Sequence, residues 1–221
     1  VVETALRDAL GSDYAEGILP EIAGRLAAPD PPGRQLVPFL LSDPQVQVTR
    51  GIEYAPGAGR KRQLDVYAPR LGAREAPVLL QIHGGGWVIG DKREQALPLM
   101  NHLAARGWVC VTANYRLSPR ATFPDHLVDL KLALRWIREN IGEFGGDPLF
   151  VAASGGSAGG HLSSMLALTA GAPEYQPGFE EVDTSLRACV PFYGVYDLTN
   201  QYGLQAQPGI DSFFGRVVLK K

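Results

Sequence analysis

The sequence is poor in the residues that cross-link chains or bind metals. Its 221 residues include only two cysteines and four histidines. The histidines are scattered and lack the spacing of a ligand set, so no metal site is expected. Cys110 and Cys189 both fall in predicted buried strands, where free, packed thiols are more common than a disulfide. We therefore expect two free thiols.

Long apolar runs and blocks of basic residues are also missing. The apolar runs are far shorter than the roughly 20 residues of a membrane-spanning helix. The first residue is valine, and no signal peptide is visible at the start of the sequence. Lysine and arginine total 21 against 23 aspartates and glutamates, so nucleic acid is not expected as a partner. We expect a cytoplasmic protein. An upstream anchor or signal, and with it membrane association, stays open.

The composition that remains is that of an ordinary globular α/β protein. The sequence is 45% apolar and 20% charged, and its length suits one large α/β domain. Short apolar strands alternate with helical segments, which is typical of a parallel sheet covered on both faces. The clearest helices are predicted at 93–106 and 125–141. Residues 46–54 and 62–68 alternate in polarity and predict a β-hairpin.

Two segments are expected along the chain. Residues 1–44 have broken helical spacing and form an N-terminal helical segment, which could cover the mouth of a site or pack on the sheet. Residues 45–221 form the α/β core. No internal repeat or low-complexity segment is present.

A glycine-rich turn around Ser157 is the strongest local signal. Gly155–Gly160 follows the apolar run 150–153 and opens into the helical pattern 162–168. Strand, turn and helix in this order fit Gly-x-Ser-x-Gly, the nucleophile elbow, in which a strained turn holds the serine hydroxyl above the sheet. Small neighbours are required because the two backbones pass close together. The pattern predicts that Ser157 is a nucleophile.

A second glycine-rich stretch supports acyl-transfer chemistry. His83–Trp87, with the sequence HGGGW, follows the apolar strand 77–82. Its three glycines leave backbone N–H groups free to bind the negative oxygen that develops when a carbonyl is attacked. The two stretches together are a more specific signal than either alone.

These motifs, with Tyr115–Pro119 between them, resemble the α/β-hydrolase superfamily and, within it, the hormone-sensitive-lipase-like bacterial carboxylesterases. The resemblance covers roughly residues 45–200. It implies an α/β-hydrolase fold, in which a mostly parallel, doubly wound sheet carries an antiparallel hairpin at one edge. It also implies hydrolysis of small or short-acyl esters through an acyl-enzyme on Ser157, with no cofactor.

The resemblance implies supporting roles as well. The N–H groups of Gly85, Gly86 and Ala158 would form the oxyanion hole. His83 and Gly84 would shape the loop rather than take part in proton transfer.

The sequence departs from the family pattern in two places. Gly156 stands where the family usually has aspartate, which leaves the elbow possible but removes a local polar contact. The family's triad runs in the order Ser, Asp or Glu, His, yet the only histidine after Ser157 is His161, one helical turn along. That side chain is not expected to reach back to Ser157. We therefore expect the C-terminal strands, with the acid and the base, to be missing, and Asp197 to precede the true acid.

Three readings of the function follow. The first is a serine carboxylesterase or lipase-like hydrolase. The second is an arylformamidase-like amide hydrolase, which uses the same chemistry. The third is a non-catalytic binding relative, and a base supplied by another polypeptide is the remaining alternative. Strand edges left unpaired by the missing strands favour a homo-oligomer.

Smaller expectations concern individual side chains. His126 is expected at the surface or as a helix cap, and His102 likewise. Asp91 and Arg116 are expected to pair and brace the HGGGW loop.

Overall fold

The computed structural model describes residues 42–198 and 214–220, together with residues 4, 7–8, 11–13, 201 and 203. The chain divides into two units, Val1–Leu40 and Leu41–Lys221. The predicted helical segment 1–44 lies almost wholly outside the described residues and stays a prediction. The strands and helices that the structure describes lie in the second unit.

Six strands and three α-helices make up this unit. The strands are β1 (Val46–Glu53), β2 (Gln63–Pro69), β3 (Ala76–Ile82), β4 (Val109–Ala113), β5 (Gly146–Gly156) and β6 (Ala188–Phe192). The helices are α1 (Leu97–Ala105), α2 (Asp125–Asn140) and α3 (Ala158–Leu168). Short 3-10 turns lie at Gly59–Arg62, Ile141–Phe144 and Pro173–Tyr175, and a π-helical turn at Phe214–Leu219.

The strands form one mixed sheet in the order β1-β2-β4-β3-β5-β6. The predicted hairpin is present, since β1 pairs antiparallel with β2, which pairs antiparallel with β4. The pairs β4–β3, β3–β5 and β5–β6 are parallel. The mostly parallel sheet with an antiparallel edge hairpin is therefore confirmed. Its central strands are apolar on both sides because helices cover both faces.

Two apolar clusters lie on opposite faces of the sheet. The larger contains α2 and α3 residues such as Leu130, Leu134 and Leu162. The smaller contains Met100 and Ala104 of α1. This arrangement is the doubly wound architecture that the alternation of strands and helices predicted. Among the described residues, no helix combines the length and the apolar character needed to cross a bilayer.

Helix α1 begins later than its sequence pattern predicts. The prediction was 93–106, whereas the helix runs Leu97–Ala105 with Pro98 in its first turn. Proline is tolerated there because its missing N–H would have no partner in any case. Residues 92 and 93 are instead bound to the sheet by the polar contacts described below.

A buried carboxylate joins α2 to the hairpin turn and to the segment after β4. Asp129 is fully buried and accepts hydrogen bonds from Arg62 Nε at 3.0 Å and Arg116 Nε at 2.8 Å. Two guanidinium groups offset the cost of removing this charge from water. The expected Asp91–Arg116 pair is therefore wrong, because Arg116 is bound to α2 and Asp91 accepts from the Asn114 amide at 3.0 Å.

A buried lysine holds the excursion between α3 and β6. Lys131 Nζ donates to Thr169 O and, at 3.1 Å each, to Gln176 Oε1 and Thr184 Oγ1. Desolvation lowers the pKa of Lys131 to about 8. The helical period predicted an α2 helix, but it did not predict that this charged residue would face inward.

Strand β6 is more exposed than its apolar sequence predicts. Val190 and Phe192 are 52% and 50% exposed, and Cys189 is half-buried, whereas Cys110 in β4 is fully buried. The reason is that β6 has a neighbouring strand on one side only within the described residues. Both thiols are free.

The exposed edge of β6 leads to a test of self-association. An apolar edge strand is a template for pairing with another chain, so we expect a dimer or larger assembly at micromolar concentration. Light scattering with Phe192→Lys as the comparison checks this, because a charge on the edge should shift the mass toward monomer. A monomer mass for the unmodified protein would contradict the expectation.

Candidate active site

The predicted nucleophile lies at a strained turn between β5 and α3. Ser157 has φ 57° and ψ −119°, a conformation that is costly for any residue with a side chain and that persists only where the surroundings impose it. Its backbone N donates to Phe192 O at 3.0 Å, at the end of β6. Strand, turn and helix follow one another as the glycine-rich pattern predicted.

The HGGGW loop lies beside this turn because β3 and β5 are parallel neighbours. Ile82 pairs with Gly155, so the carboxyl ends of both strands meet at one edge. A Cβ placed on Gly84 would lie 2.6 Å from Gly156 O and 3.5 Å from Ser157 Cβ. The sheet thus brings together two motifs that are some 70 residues apart in the sequence.

The backbone N–H groups of the loop are not all free. Gly84 N donates to Gln95 Oε1 at 2.8 Å, so one of the three glycine donors is already used. Among the described residues, the N–H groups of Gly85, Gly86 and Ala158 have no hydrogen-bond partner. These are the three donors that the family resemblance implied, while the role of Gln95 was not foreseen.

The loop turns tightly on itself. Val88 N and Ile89 N both donate to Gly85 O, at 3.1 Å and 3.0 Å. Gly85 has φ +116°, and a Cβ on it would collide with Ile89 O. Only glycine fits this position without moving the loop.

His83 lies behind the loop rather than in front of the serine. Its ring stacks on Tyr115 with centroids 4.4 Å apart, and Tyr115 Oη donates to His83 O at 2.9 Å. Its Nδ1 donates to Gly84 O at 2.8 Å. Burial lowers the pKa of His83, so the ring is neutral at pH 7. These contacts support a loop-shaping role.

A polar network fastens the chain that follows the loop. Asp65 in β2 is fully buried and lies 2.8 Å from Lys92 Nζ and 2.7 Å from Arg93 Nε. Burial raises the pKa of Asp65, but hydrogen bonds from Arg93 and Lys92 outweigh it and hold the pKa below its ordinary value. Lys92 N also donates to Asn114 Oδ1 at 2.7 Å. The loop is therefore anchored to the sheet just beyond its last turn.

Two further histidines are buried next to the site. His161 in α3 lies edge-on to Trp87, with centroids 5.2 Å apart. His126 is fully buried, with Nε2 3.2 Å from Ser118 Oγ, so its predicted surface or capping position is wrong. The apolar face of α2 is wider than the spacing of its leucines indicates, and it includes position 126.

His161 contacts Ser157 only through the backbone, where His161 N donates to Ser157 O at 3.0 Å. Within residues 42–198, no hydrogen bond joins a histidine ring to the Ser157 hydroxyl. Desolvation lowers the pKa of His161 to about 4, which makes its ring a weak proton acceptor. Asp197 follows β6 and accepts from Gln201 N at 2.9 Å. Among the described residues, the predicted nucleophile therefore lies beside N–H groups without a partner, and no histidine ring reaches its hydroxyl.

Acidification is expected to destabilise this region. Burial lowers the pKa of His126 and His161 to about 4, from the ordinary 6.5, so the unfolded chain binds more protons between these values. The stabilising contribution is complete above pH 6.5 and is lost as the pH falls toward 4. Acidification from pH 6.5 to 4 should therefore lower the free energy of unfolding by on the order of 3 kcal/mol for each histidine.

Urea unfolding at pH 7.5, 6 and 5 measures this loss. In His126→Gln the slope of the unfolding free energy against pH should be smaller. His102→Gln, on the partly exposed face of α1, should keep the parental slope. An unchanged slope in His126→Gln would contradict the explanation.

The fold and this turn define the class of protein, and comparison with known proteins identifies it as an α/β hydrolase. Esterase B from Lactobacillus rhamnosis has the same fold, with TM-score 0.66 and 22% identity over 98% of this chain and 66% of that one. Thermogutta terrifontis esterase 2, solved after phosphonylation by sarin, has TM-score 0.60 and 30% identity, and covers 74% of this chain and 59% of that one.

Sequence comparison gives the family. The BD-FAE family profile matches residues 64–218, and the chain belongs to this family. The probable carboxylic ester hydrolase LipM of Mycobacterium tuberculosis is 59% identical over 143 residues, or 64% of this chain and 33% of LipM. Esterase LipQ of the same organism is 45% identical over 204 residues, or 90% of this chain and 48% of LipQ. The chain thus spans a third to a half of these curated relatives.

Proposed function

We propose that this protein is a serine carboxylic-ester hydrolase for small or short-acyl esters, with Ser157 as its nucleophile. The observation that carries the proposal is the strained turn at Ser157, with φ 57°, beside a loop whose Gly85 and Gly86 N–H groups have no partner among the described residues. A serine held in such a turn next to free donors suits acyl transfer. The relatives named esterases agree with this chemistry.

The proposed reaction has two halves. The Ser157 hydroxyl attacks the ester carbonyl carbon, and a general base takes its proton. The carbonyl oxygen becomes negative and accepts hydrogen bonds from Gly85, Gly86 and Ala158 N–H. The C–O bond to the alcohol then breaks, and the alcohol leaves with the proton held by the base.

Water completes the cycle. It attacks the acyl-enzyme carbonyl, gives a proton to the base, and the same N–H groups stabilise the second oxyanion. The acid leaves and Ser157 recovers its proton. Ala158 is the first residue of α3, so the positive end of the helix dipole adds to the stabilisation of the oxyanion.

The general base is expected from residues other than the described histidines. A serine without a base is a poor nucleophile, and His161 is turned toward Trp87. The proposal therefore concerns the activity of the whole protein, since this chain matches only a third to a half of the length of its curated relatives.

Labelling with a fluorophosphonate probe tests the proposal. Intact mass before and after reaction should show one adduct, and peptide mapping should place it on Ser157. Parallel assays on short p-nitrophenyl esters and on a formyl-anilide separate the esterase from the amide-hydrolase reading. A protein that forms no adduct and cleaves neither substrate would be a binding relative, and the proposal would fail.

Partner and location are part of the same proposal. The expected partner is a small-molecule ester, with self-association at β6 as described above. A cytoplasmic location stays a prediction, which cell fractionation would check.

A further inference from the structure

The space next to Gly156 is filled by another residue. Position 156 carries glycine, where the family resemblance implies aspartate. A Cβ placed on Gly156 would lie 2.6 Å from Tyr193 Oη and 2.8 Å from Tyr193 Cζ. Contacts below 3.0 Å are essentially never made by real Cβ atoms. Both tyrosine atoms are at the far end of a flexible side chain that is 80% exposed, so a larger residue at 156 would displace the tyrosine ring from this position without moving the backbone.

The segment that carries Tyr193 is held firmly against the elbow. Phe192 O accepts from Ser157 N at 3.0 Å. On the helix side, a Cβ on Gly160 would lie 2.7 Å from Phe192 O and 3.0 Å from Gly194 Cα. The first turn of α3 and the end of β6 thus touch backbone to backbone, and Tyr193 lies between these contacts.

Tyr193 itself is in an unfavourable conformation. Its φ is +39°, in the left-handed region that a bulky residue rarely adopts. Such strain persists where surrounding contacts impose it, and it concentrates at functional sites. Glycine would relieve the strain here, but it would remove the ring that covers Gly156.

The side chain is also open to a bound molecule. Tyr193 is 80% exposed, and among the described residues its hydroxyl makes no hydrogen bond. Residue 156 directly precedes Ser157, so this hydroxyl lies next to the turn that presents the nucleophile. An exposed ring with a free hydroxyl at that place can pack on a substrate and donate to it.

We propose that Tyr193 is a specificity-determining residue that forms one wall of the Ser157 site, and that glycine at 156 is what admits it. The ring packs on the apolar part of the bound ester, and Oη donates a hydrogen bond to one of its oxygens. This inference rests on the proposed hydrolase function. It gives the departure at position 156 a physical reason, since the hydroxyl of Tyr193, directly after β6, lies where a side chain at 156 would begin.

Steady-state kinetics of the full-length protein tests the contact with substrate. Tyr193→Phe keeps the ring and should raise KM for a p-nitrophenyl ester about 5-fold, the effect of one hydrogen bond. Tyr193→Gly removes the ring and should raise KM by 10-fold or more. In both variants kcat should stay within about 3-fold, whereas a merely structural role would lower kcat and Tm and leave KM unchanged. Phe150→Leu, at an exposed aromatic residue of β5, is the control.

A double-mutant cycle tests the shared space without reference to activity. Gly156→Ala should lower Tm by about 2 to 4 °C, because the new methyl group displaces the tyrosine ring from its contact with residue 156. In the Tyr193→Gly background, the same substitution should lower Tm by less than a third of that amount. Equal shifts in the two backgrounds would overturn the shared-space part of the proposal.

The outcomes separate this inference from the proposed function. If the parent protein forms the Ser157 adduct and hydrolyses esters, but both Tyr193 variants keep the parental KM, the wall assignment alone is wrong. If the parent protein forms no adduct and hydrolyses nothing, the hydrolase function fails and the wall assignment with it. The Tm cycle still decides whether Tyr193 occupies the space beside Gly156.

Discussion

Replacing Ser157 with alanine is expected to lower kcat/KM for a short-acyl ester by about 10⁴- to 10⁶-fold. The acyl-enzyme cannot form without the hydroxyl, and the activity left would come from binding and the oxyanion donors alone. Tm should change by only a few degrees, because alanine at φ 57° is strained no more than serine. Ester hydrolysis followed at substrate concentrations below KM measures the effect.

Ser164→Ala is the matched control for this substitution. Ser164 lies on the same helix, and its hydroxyl donates to Gly160 O at 3.0 Å, so its loss should leave kcat/KM within a few-fold. A Ser157→Ala variant that kept more than about 1% of the parental activity would mean that another group performs the attack.

Gly85→Ala is expected to lower kcat by about 10²- to 10³-fold. Gly85 has φ +116°, and its new Cβ would collide with Ile89 O. The loop must therefore shift, and its N–H groups would no longer point at the carbonyl oxygen of the substrate. The loss of one oxyanion donor typically costs this much in rate. Because the donors act most strongly on the developing charge, KM should change far less than kcat.

Gly57→Ala separates backbone strain from the loss of donors. Gly57 lies in the hairpin turn with φ +90° and open space around it, so alanine there carries a similar conformational cost away from the site. It should lower Tm slightly and leave kcat unchanged. If Gly85→Ala lost no more activity than Gly57→Ala, the HGGGW loop would not be the oxyanion hole.

The parts of this protein that its sequence predicted are those encoded over short distances. The turn at Ser157 could be predicted because strand, glycine-rich turn and helix occupy consecutive residues. The edge hairpin and α2 follow from periods of 2 and 3.6 residues. The beginning of α1 was missed, because contacts of residues 92 and 93 with Asp65 are made across the sheet.

Side-chain partners were much harder to predict. The sequence contains 21 lysines and arginines and 23 aspartates and glutamates, so many ion pairs are compatible with it. Arg116 was expected to bind Asp91 and binds Asp129 instead. His126 was expected at the surface and is buried. Such pairings depend on the angle at which α2 packs on the sheet, which no local pattern contains.

By itself, then, the sequence determined the strand–turn–helix order around Ser157, because that order is a property of adjacent residues. Only the tertiary structure decided that the HGGGW loop lies against Ser157, through the pairing of Ile82 with Gly155. It also decided that Tyr193 covers Gly156. Both contacts join residues that are distant in sequence, and parallel strand pairing is what brings them together.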